Sequence, residues 1–310
     1  MLDLKNKKIL VLGGSGFMGS HVIRTLEKHG VPKESIFAPS SKECDLRKLD
    51  DCVKAVKGKE IVFDCAARPG DLSLRGKIPG ELFYDNLLMG IELLEAARRE
   101  GAQKVITVGS IMEYPEGASV PFREDTLWNG LPLKTSIPYG LSKRIVALQG
   151  ELYRRQTGFN SIHVILTNSY GPGEKFSSGY MVPLLIEKIM NAKKRGEKKV
   201  DVWGTGRATR DLIYVEDTTE GIVRAAESYD ETLPLNIGSG VEISVQELVT
   251  LLCSLIGFEG TTRFDTTKPE GELKRFLDVN RARDLIGFQA KTTLREGLKK
   301  TIDWHNEYPK

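Results

Sequence analysis

Tyr139, Gly140, Leu141, Ser142 and Lys143 set a phenol and an ammonium four residues apart, on one face of any helix that holds them. An ammonium close to a phenol stabilises the phenolate, which makes Tyr139 a candidate acid or base for a carbinol at neutral pH. The same spacing arises by chance in helices that do no chemistry, so the pair needs company. Ser110 supplies it, standing just after the apolar run 104–109. A hydroxyl at the carboxyl end of a strand can hold a substrate oxygen in line with the phenol.

A second cluster lies near the start of the chain. Gly13, Gly14, Ser15, Gly16, Phe17, Met18 and Gly19 satisfy both G-x-G-x-x-G and G-x-x-G-x-x-G, after the apolar run 8–12 and before a helical pattern. Glycines there permit a tight turn and let backbone approach a pyrophosphate held at a helix N-terminus. Between strand and helix this pattern predicts a bound dinucleotide. The end of the second strand discriminates NAD from NADP, because a carboxylate there binds the ribose 2′-hydroxyl and repels a 2′-phosphate. Here Ser40, Ser41 and Lys42 come first, with no acid until Glu43. Two hydroxyls and an ammonium favour NADP(H), with NAD(H) possible; a plain polar turn is the alternative.

The elements that position these groups follow from hydrophobic period. Strands are expected at 8–12, 35–39, 60–67, 104–109 and 162–166, and helices from Gly19 to Gly30 and at 49–56, 85–100 and 141–156. Only Asp64 interrupts the apolar third strand. Strands alternating with helices predict an α/β fold, a doubly wound parallel Rossmann sheet covered on both faces. Beyond Gly173 the rhythm turns irregular, with short strands at 201–203 and 235–237 and helices at 182–192 and 244–256. The expected division is residues 1–172 as the dinucleotide-binding unit and 173–310 as a smaller mixed substrate lobe interleaved with it.

Composition sets the limits. The 310 residues carry a net charge of +3 with both signs interspersed, which argues against a nucleic-acid or membrane-surface partner. Lys193, Lys194 and Arg195 read as a solvated helix end. Cys44, Cys52, Cys65 and Cys253 have neither CxxC spacing nor a histidine pattern, so free thiols in a reducing compartment and no metal site are expected. The first eight residues lack a signal peptide's apolar stretch and no run is long enough to span a bilayer, so a soluble, cytoplasmic protein is expected.

Together the glycine loop, Ser110 followed by Tyr114-Pro115, and Tyr139 with Lys143 resemble the extended short-chain dehydrogenases, the NAD-dependent epimerases and dehydratases, over about residues 7–304. The resemblance implies an enzyme in which Ser110, Tyr139 and Lys143 are catalytic. Cofactor contacts are implied for the glycine loop, for Asp45-Leu46 at the adenine, for Ala66, Ala67, Arg68 and Val108, and for Tyr139, Lys143 and Thr167. Residues 167–172 resemble the segment that links nicotinamide to substrate. Residues 210–217 resemble the substrate-lobe signature, with Arg210 gripping a diphosphate bidentately.

Residues 202–206, 268–275, 66–68 and 83–86 are most similar to the GDP-L-fucose synthase branch. That likeness implies a GDP-sugar near Trp203, Arg210 and Lys274 or Arg275, with Asn168, Tyr180 and Val182 also lining the substrate site; core packing is the other account of Trp203. The branch carries a cysteine and a histidine that epimerise C3 and C5. Met112 and Tyr180 occupy those positions here, and a thioether carries no exchangeable proton. The 4,6-dehydratases fit poorly too, since their Asp-Glu pair would fall on Ile111 and Met112. The expected activity is therefore NADPH-dependent reduction at C4 of a GDP-4-keto-6-deoxy-hexose. The alternative is an NAD-dependent C4 epimerase of a UDP- or GDP-hexose, and a non-catalytic dinucleotide-binding scaffold is more remote. Leu87, Leu88, Ile91 and Leu94, with Ile145, Val146, Leu148 and Leu152, put apolar side chains on several faces of two helices that pair in homodimers of the family, which implies a homodimer.

Overall fold

The computed structural model describes residues 1–70, 72–176, 179–268 and 271–308. The first half alternates as expected: β1 (Ile9–Leu12), α1 (Phe17–Lys28), β2 (Ile36–Phe37), α2 (Leu49–Val56), β3 (Ile61–Asp64), α3 (Leu72–Lys77), α4 (Pro79–Arg99), β4 (Lys104–Ser110), α5 (Ile137–Thr157) and β5 (Ser161–Leu166). The second half runs β6 (Asn168–Tyr170), α6 (Met181–Lys194), β7 (Lys199–Trp203), β8 (Thr209–Tyr214), α7 (Val215–Ser228), β9 (Leu235–Ile237), β10 (Glu242–Ser244), α8 (Val245–Ile256), β11 (Thr261–Asp265), β12 (Lys274–Arg275), α9 (Asn280–Ile286) and α10 (Leu294–Glu307).

Six parallel strands form the central sheet in the order β2-β1-β3-β4-β5-β9. Its strands are mostly apolar because both faces are covered. Ile9 and Val11 of β1 enter one core with Val22, Leu26 and Ile222 of α1 and α7, while Leu10 and Leu12 enter the other with Leu93, Leu94 and Val146 of α4 and α5. Each fully buried side chain of this kind contributes roughly 1.5–3 kcal/mol. The strand order reverses between β1 and β3, which opens a crevice at their carboxyl ends.

A cut at residue 172 does not separate two units. Beyond it, β9 pairs with β5 and α7 packs on α1, completing the first layer system. The rest forms a second sheet, β10-β8-β12 with β6 on β8, and the parallel pair β7-β11, over their own core. Within the first layer system, buried Lys104 of β4 ties α7 to the sheet by donating from Nζ to the carbonyls of Ala225, Ala226 and Tyr229 at the end of that helix. Burial lowers its ammonium to about 8. No helix among the described residues is long and apolar enough to cross a membrane. Lys104→Met strips the donors from three buried carbonyls. It is expected to cost about 2–3 kcal/mol in urea unfolding.

Candidate functional site

The glycine loop builds its turn by close approach. Gly13 sits at φ +73°, and a Cβ on Gly19 would overlap the Gly13 carbonyl. Helix α1 starts there with Gly16 as N-cap, without a side-chain cap and without an acid in its first turn. Its first N–H groups are thus left to an anionic ligand. A 580 Å³ cavity runs from this loop along Pro39, Ser41, Asp45, Leu46 and Arg47 to Cys65, Ala66, Ala67 and Arg68. The cradle fits a dinucleotide.

Of the three residues expected at the 2′ position, Ser41 lines this cavity. Ser40 does not: its hydroxyl and its N–H both donate to Glu43, at 2.7 and 2.8 Å. Those bonds hold the Glu43 carboxyl below the usual range, so a negative charge stands at the turn. Lys42 makes no polar contact among the described residues.

Gly16, Cys65, Ala66 and Ala67 also line a second cavity of 320 Å³. Into it the fold brings Phe17 and Met18 of α1, Val108 and Ser110 of β4, Met112, Tyr139 and Lys143 of α5, Thr167 and Asn168 of β6's approach, and Tyr180 and Val182 at the start of α6. Thr167 and Asn168 are anchored by donating to the Asp211 carbonyl, both at 3.0 Å. Lys143 lines this second cavity, donating at 3.2 Å to the carbonyl of Ala66, a residue common to both cavities, and standing 3.9 Å from Asp64.

The expected lowering of the Tyr139 phenol by Lys143 is not found. Burial pushes that phenol up, and the nearby carboxyls of Glu113 and Asp64 push the same way; Arg75 of α3 is the cation that opposes them. Lys143 is instead spent on Asp64, whose own carboxyl burial raises and Lys143 lowers. Tyr139 is accordingly a protonated acid in the free site.

Beneath Ser110 lies a polar network that was not foreseen from the sequence. Ser110 donates its N–H to Glu113 Oε1 at 2.7 Å, and its Oγ accepts from Met112 N–H, so a capping box fixes the turn after β4. Glu113 is fully buried and faces His163 Nε2 of β5 at 3.0 Å. His163 Nδ1 is 2.7 Å from the Thr107 hydroxyl, whose hydrogen goes to the Ile162 carbonyl. The hydroxyl therefore accepts from Nδ1–H, and Nε2 is left to bond the Glu113 carboxyl. Arg144 clamps the Glu113 carbonyl from α5, the helix of Tyr139. The only hint in the sequence was a histidine inside an otherwise apolar strand.

The lobe side resolves one ambiguity. Lys274 and Arg275 of β12 point to opposite faces. Lys274 stands over Glu242, 3.7 Å away, whereas Arg275 reaches the Ile111 carbonyl beside the cleft at 2.9 Å. Arg210 is the register partner of Arg275 on β8 and donates to the Thr209 and Glu272 carbonyls. Trp203 is 56% exposed at the end of β7, so core packing does not account for it. Trp203, Arg210, Lys274 and Arg275 line neither cavity. Of the fucose-synthase-like run 268–275, Pro269 and Glu270 lie outside the described residues. Glu174, a cleft residue absent from the sequence expectations, joins Tyr180 there.

Two outcomes follow from the network. Glu113→Ala is expected to lower turnover about 100-fold through misplacement of Ser110. In the S110A background it should then lower turnover little further, since the two act as a unit; equal losses in both backgrounds would separate them. Gly109→Ala would drive a methyl into Glu113 Oε1 and His163 Nε2. A loss of about 1–3 kcal/mol in denaturant titration is expected.

Comparison with known proteins agrees with this geometry. The NAD dependent epimerase/dehydratase family matches residues 9–238. A GDP-L-fucose synthase from Sinorhizobium fredii is 34% identical over 98% of this chain and 96% of its own. Among solved structures, MlghC, a GDP-mannoheptose C4 reductase from Campylobacter jejuni with NADP bound, is 25% identical with a TM-score of 0.85, covering 97% and 99% of the two chains. A UDP-glucose 4-epimerase from Thermotoga maritima, with UDP-glucose, is 26% identical with a TM-score of 0.83, covering 97% and 99%. The crevice at the β1–β3 reversal, the glycine cradle and the match over most of its length place this chain in the NAD dependent epimerase/dehydratase family, among the extended short-chain dehydrogenases.

Proposed function

We propose that the protein is an NADPH-dependent reductase of the C4 ketone of a GDP-4-keto-6-deoxy-hexose. The observation that carries the reading is the company in one cleft: Ser110, Tyr139 and Lys143 with Met112 and Tyr180. That set supplies what a ketone reduction needs and has a thioether and a phenol where the fucose synthases carry a cysteine and a histidine; the Cys65 thiol that also lines the cleft is pushed up by burial. The likeness to a GDP-L-fucose synthase and to a GDP-mannoheptose C4 reductase supports the same substrate class.

The glycine loop and the first turn of α1 would hold the pyrophosphate, Asp45 and Leu46 the adenosine end, and Lys143 the nicotinamide ribose. Bound there, the dinucleotide supplies the hydride that reduces C4. Ser110 Oγ, aimed by the Glu113 capping box, holds the ketone oxygen. Tyr139 gives that oxygen its proton as C4 is reduced, and the phenolate left behind regains one from solvent. A phenol that its surroundings keep protonated suits the reductive direction. Arg210 and Arg275 are assigned to the diphosphate, and exposed Trp203 to the base as a stacking platform.

A second reading keeps one observation on its side. The Glu43 charge at the Ser40 turn disfavours a 2′-phosphate, which suits a C4 epimerase that retains NAD, as does the likeness to a UDP-glucose 4-epimerase. Purified protein supplied with NADPH and GDP-4-keto-6-deoxy-mannose separates the two. Oxidation of NADPH with C4 reduced and C3 and C5 unchanged is the expected result. No oxidation, with NAD carried through purification and a UDP- or GDP-hexose interconverted at C4, hands the case to the epimerase. Tyr139→Phe should cut the rate about 10³-fold while NADPH fluorescence titrations stay unchanged. Full activity in that variant would revive the scaffold alternative.

We also propose a homodimer through α4 and α5. Leu87, Leu88 and Ile91 on α4, and Ile145 and Leu148 on α5, are only half buried, and Leu152 is exposed. Light scattering at micromolar concentration is expected to give twice 34.5 kDa; a monomer mass there would end the proposal.

A further inference from the structure

The loop from β6 to α6 carries Glu174 into the wall of the reactive cleft. The residue is 4% exposed, and among the described residues its carboxyl has neither a hydrogen bond nor an ion pair. The cleft it lines has a thioether and alkyl part, Met112, Met181, Val182 and Leu212, beside the polar Ser110, Asn168, Ser169 and Tyr180. An isolated buried polar group costs about 1–3 kcal/mol, a burden that is relieved only when something enters the cleft to bond it. A buried carboxylate without a partner would cost far more, so this group is held neutral, and burial raises it to about 8. A neutral carboxyl offers an O–H donor and a carbonyl acceptor side by side.

The groups that face it are few. Tyr139 and Lys143 of α5 and Tyr180 at the N-cap of α6 line the same cleft, Arg75 of α3 acts on Tyr180, and His21 of α1 bonds the Pro172 carbonyl two residues before Glu174. Lys143 is engaged at Asp64 and Ala66. The diphosphate-gripping candidates, Arg210 and Arg275, lie outside the cavity that Glu174 lines. The sugar end of a nucleotide sugar is therefore the part that this carboxyl can reach.

We propose that Glu174 is a substrate-binding, specificity-determining residue: its neutral carboxyl donates a hydrogen bond to one oxygen of the sugar and accepts one from a neighbouring hydroxyl. The proposal rests on the nucleotide-sugar reading. It selects sugars that are neutral and hydroxylated at that point. A uronate placed there would bring a second carboxyl into an apolar cavity, and the two would have to share a proton.

Calorimetry on the full chain with NADP⁺ present tests this, using GDP and the unreactive GDP-mannose as probes at pH 6.5 and 9. The quantity read is the ratio of the two affinities, the gain due to the sugar. In the wild type that gain should fall at least about threefold from pH 6.5 to 9, as the group loses its proton and with it the donor. E174Q, which keeps a donor and an acceptor, should retain the gain and lose its pH dependence. E174L should lose about tenfold of the gain, with GDP affinity unchanged. A gain in E174L equal to the wild type, or a pH dependence that persists in E174Q, overturns the proposal. A wild type that binds neither probe overturns the GDP-sugar reading itself, which is a different result from loss of the sugar term alone.

Discussion

A carboxyl group sealed from water is costly unless it is paired, and the pairing of Glu113 is the constraint on which the reactive end of this molecule depends. Its side chain takes the Ser110 N–H and the His163 ring, and its carbonyl takes the Arg144 guanidinium. Three elements, β4, β5 and α5, are thereby referred to one buried point. Ser110 stands at the end of the first and Tyr139 near the start of the third, so their relative position is set by that point together with the close approach of Gly140 to the Met112 carbonyl. The requirement reaches into the backbone: residue 109 has to be glycine because the Glu113–His163 contact occupies the space a side chain would need.

Desolvation raises Tyr139, Glu174 and Asp64 alike near this point, and they differ in what opposes it. It keeps Tyr139 and Glu174 protonated, while Asp64 shares its burial with Lys143. A site of neutral acids, lined on the sugar side by Met112, Met181 and Val182, is ready to give protons and poorly equipped to take them from carbon. That asymmetry matches a one-directional reduction better than a reaction that must deprotonate C3 and C5.

Much of the fold was legible because period and punctuation agree in this sequence. Helix α2 spans the expected 49–56, and α8 begins after Ser244, whose side chain and that of Glu247 form a capping box. Helix α4 starts six residues before the expected 85, at Pro79, since proline is well suited to the first helical turn and the apolar pattern is weak there. The short α3 contains Gly76 and has no period to read. The glycine loop, Ser110, Tyr139 and Lys143 converge from positions far apart in sequence because each stands at a strand end or a helix start facing the same crevice. Glu174 and His163 were illegible for a different reason: whether an acid in a loop or a histidine in a strand is buried, and against what, depends on elements elsewhere in the chain. The same holds for Lys274 and Arg275, where only strand register decides which of the two faces the cleft.

The place of β9 has a consequence for how the chain acquires its structure. Its three residues, Leu235–Ile237, form the outermost strand of the sheet that begins at Ile9, and α7, just before them, covers that sheet together with α1. During synthesis, the first 172 residues emerge with one edge of β5 unpaired and part of one face bare. The ribosome must deliver more than sixty further residues, including much of the second lobe, before that edge is closed. An N-terminal half folded during that interval would carry Ser161–Leu166 as an open parallel sheet edge until β9 arrives.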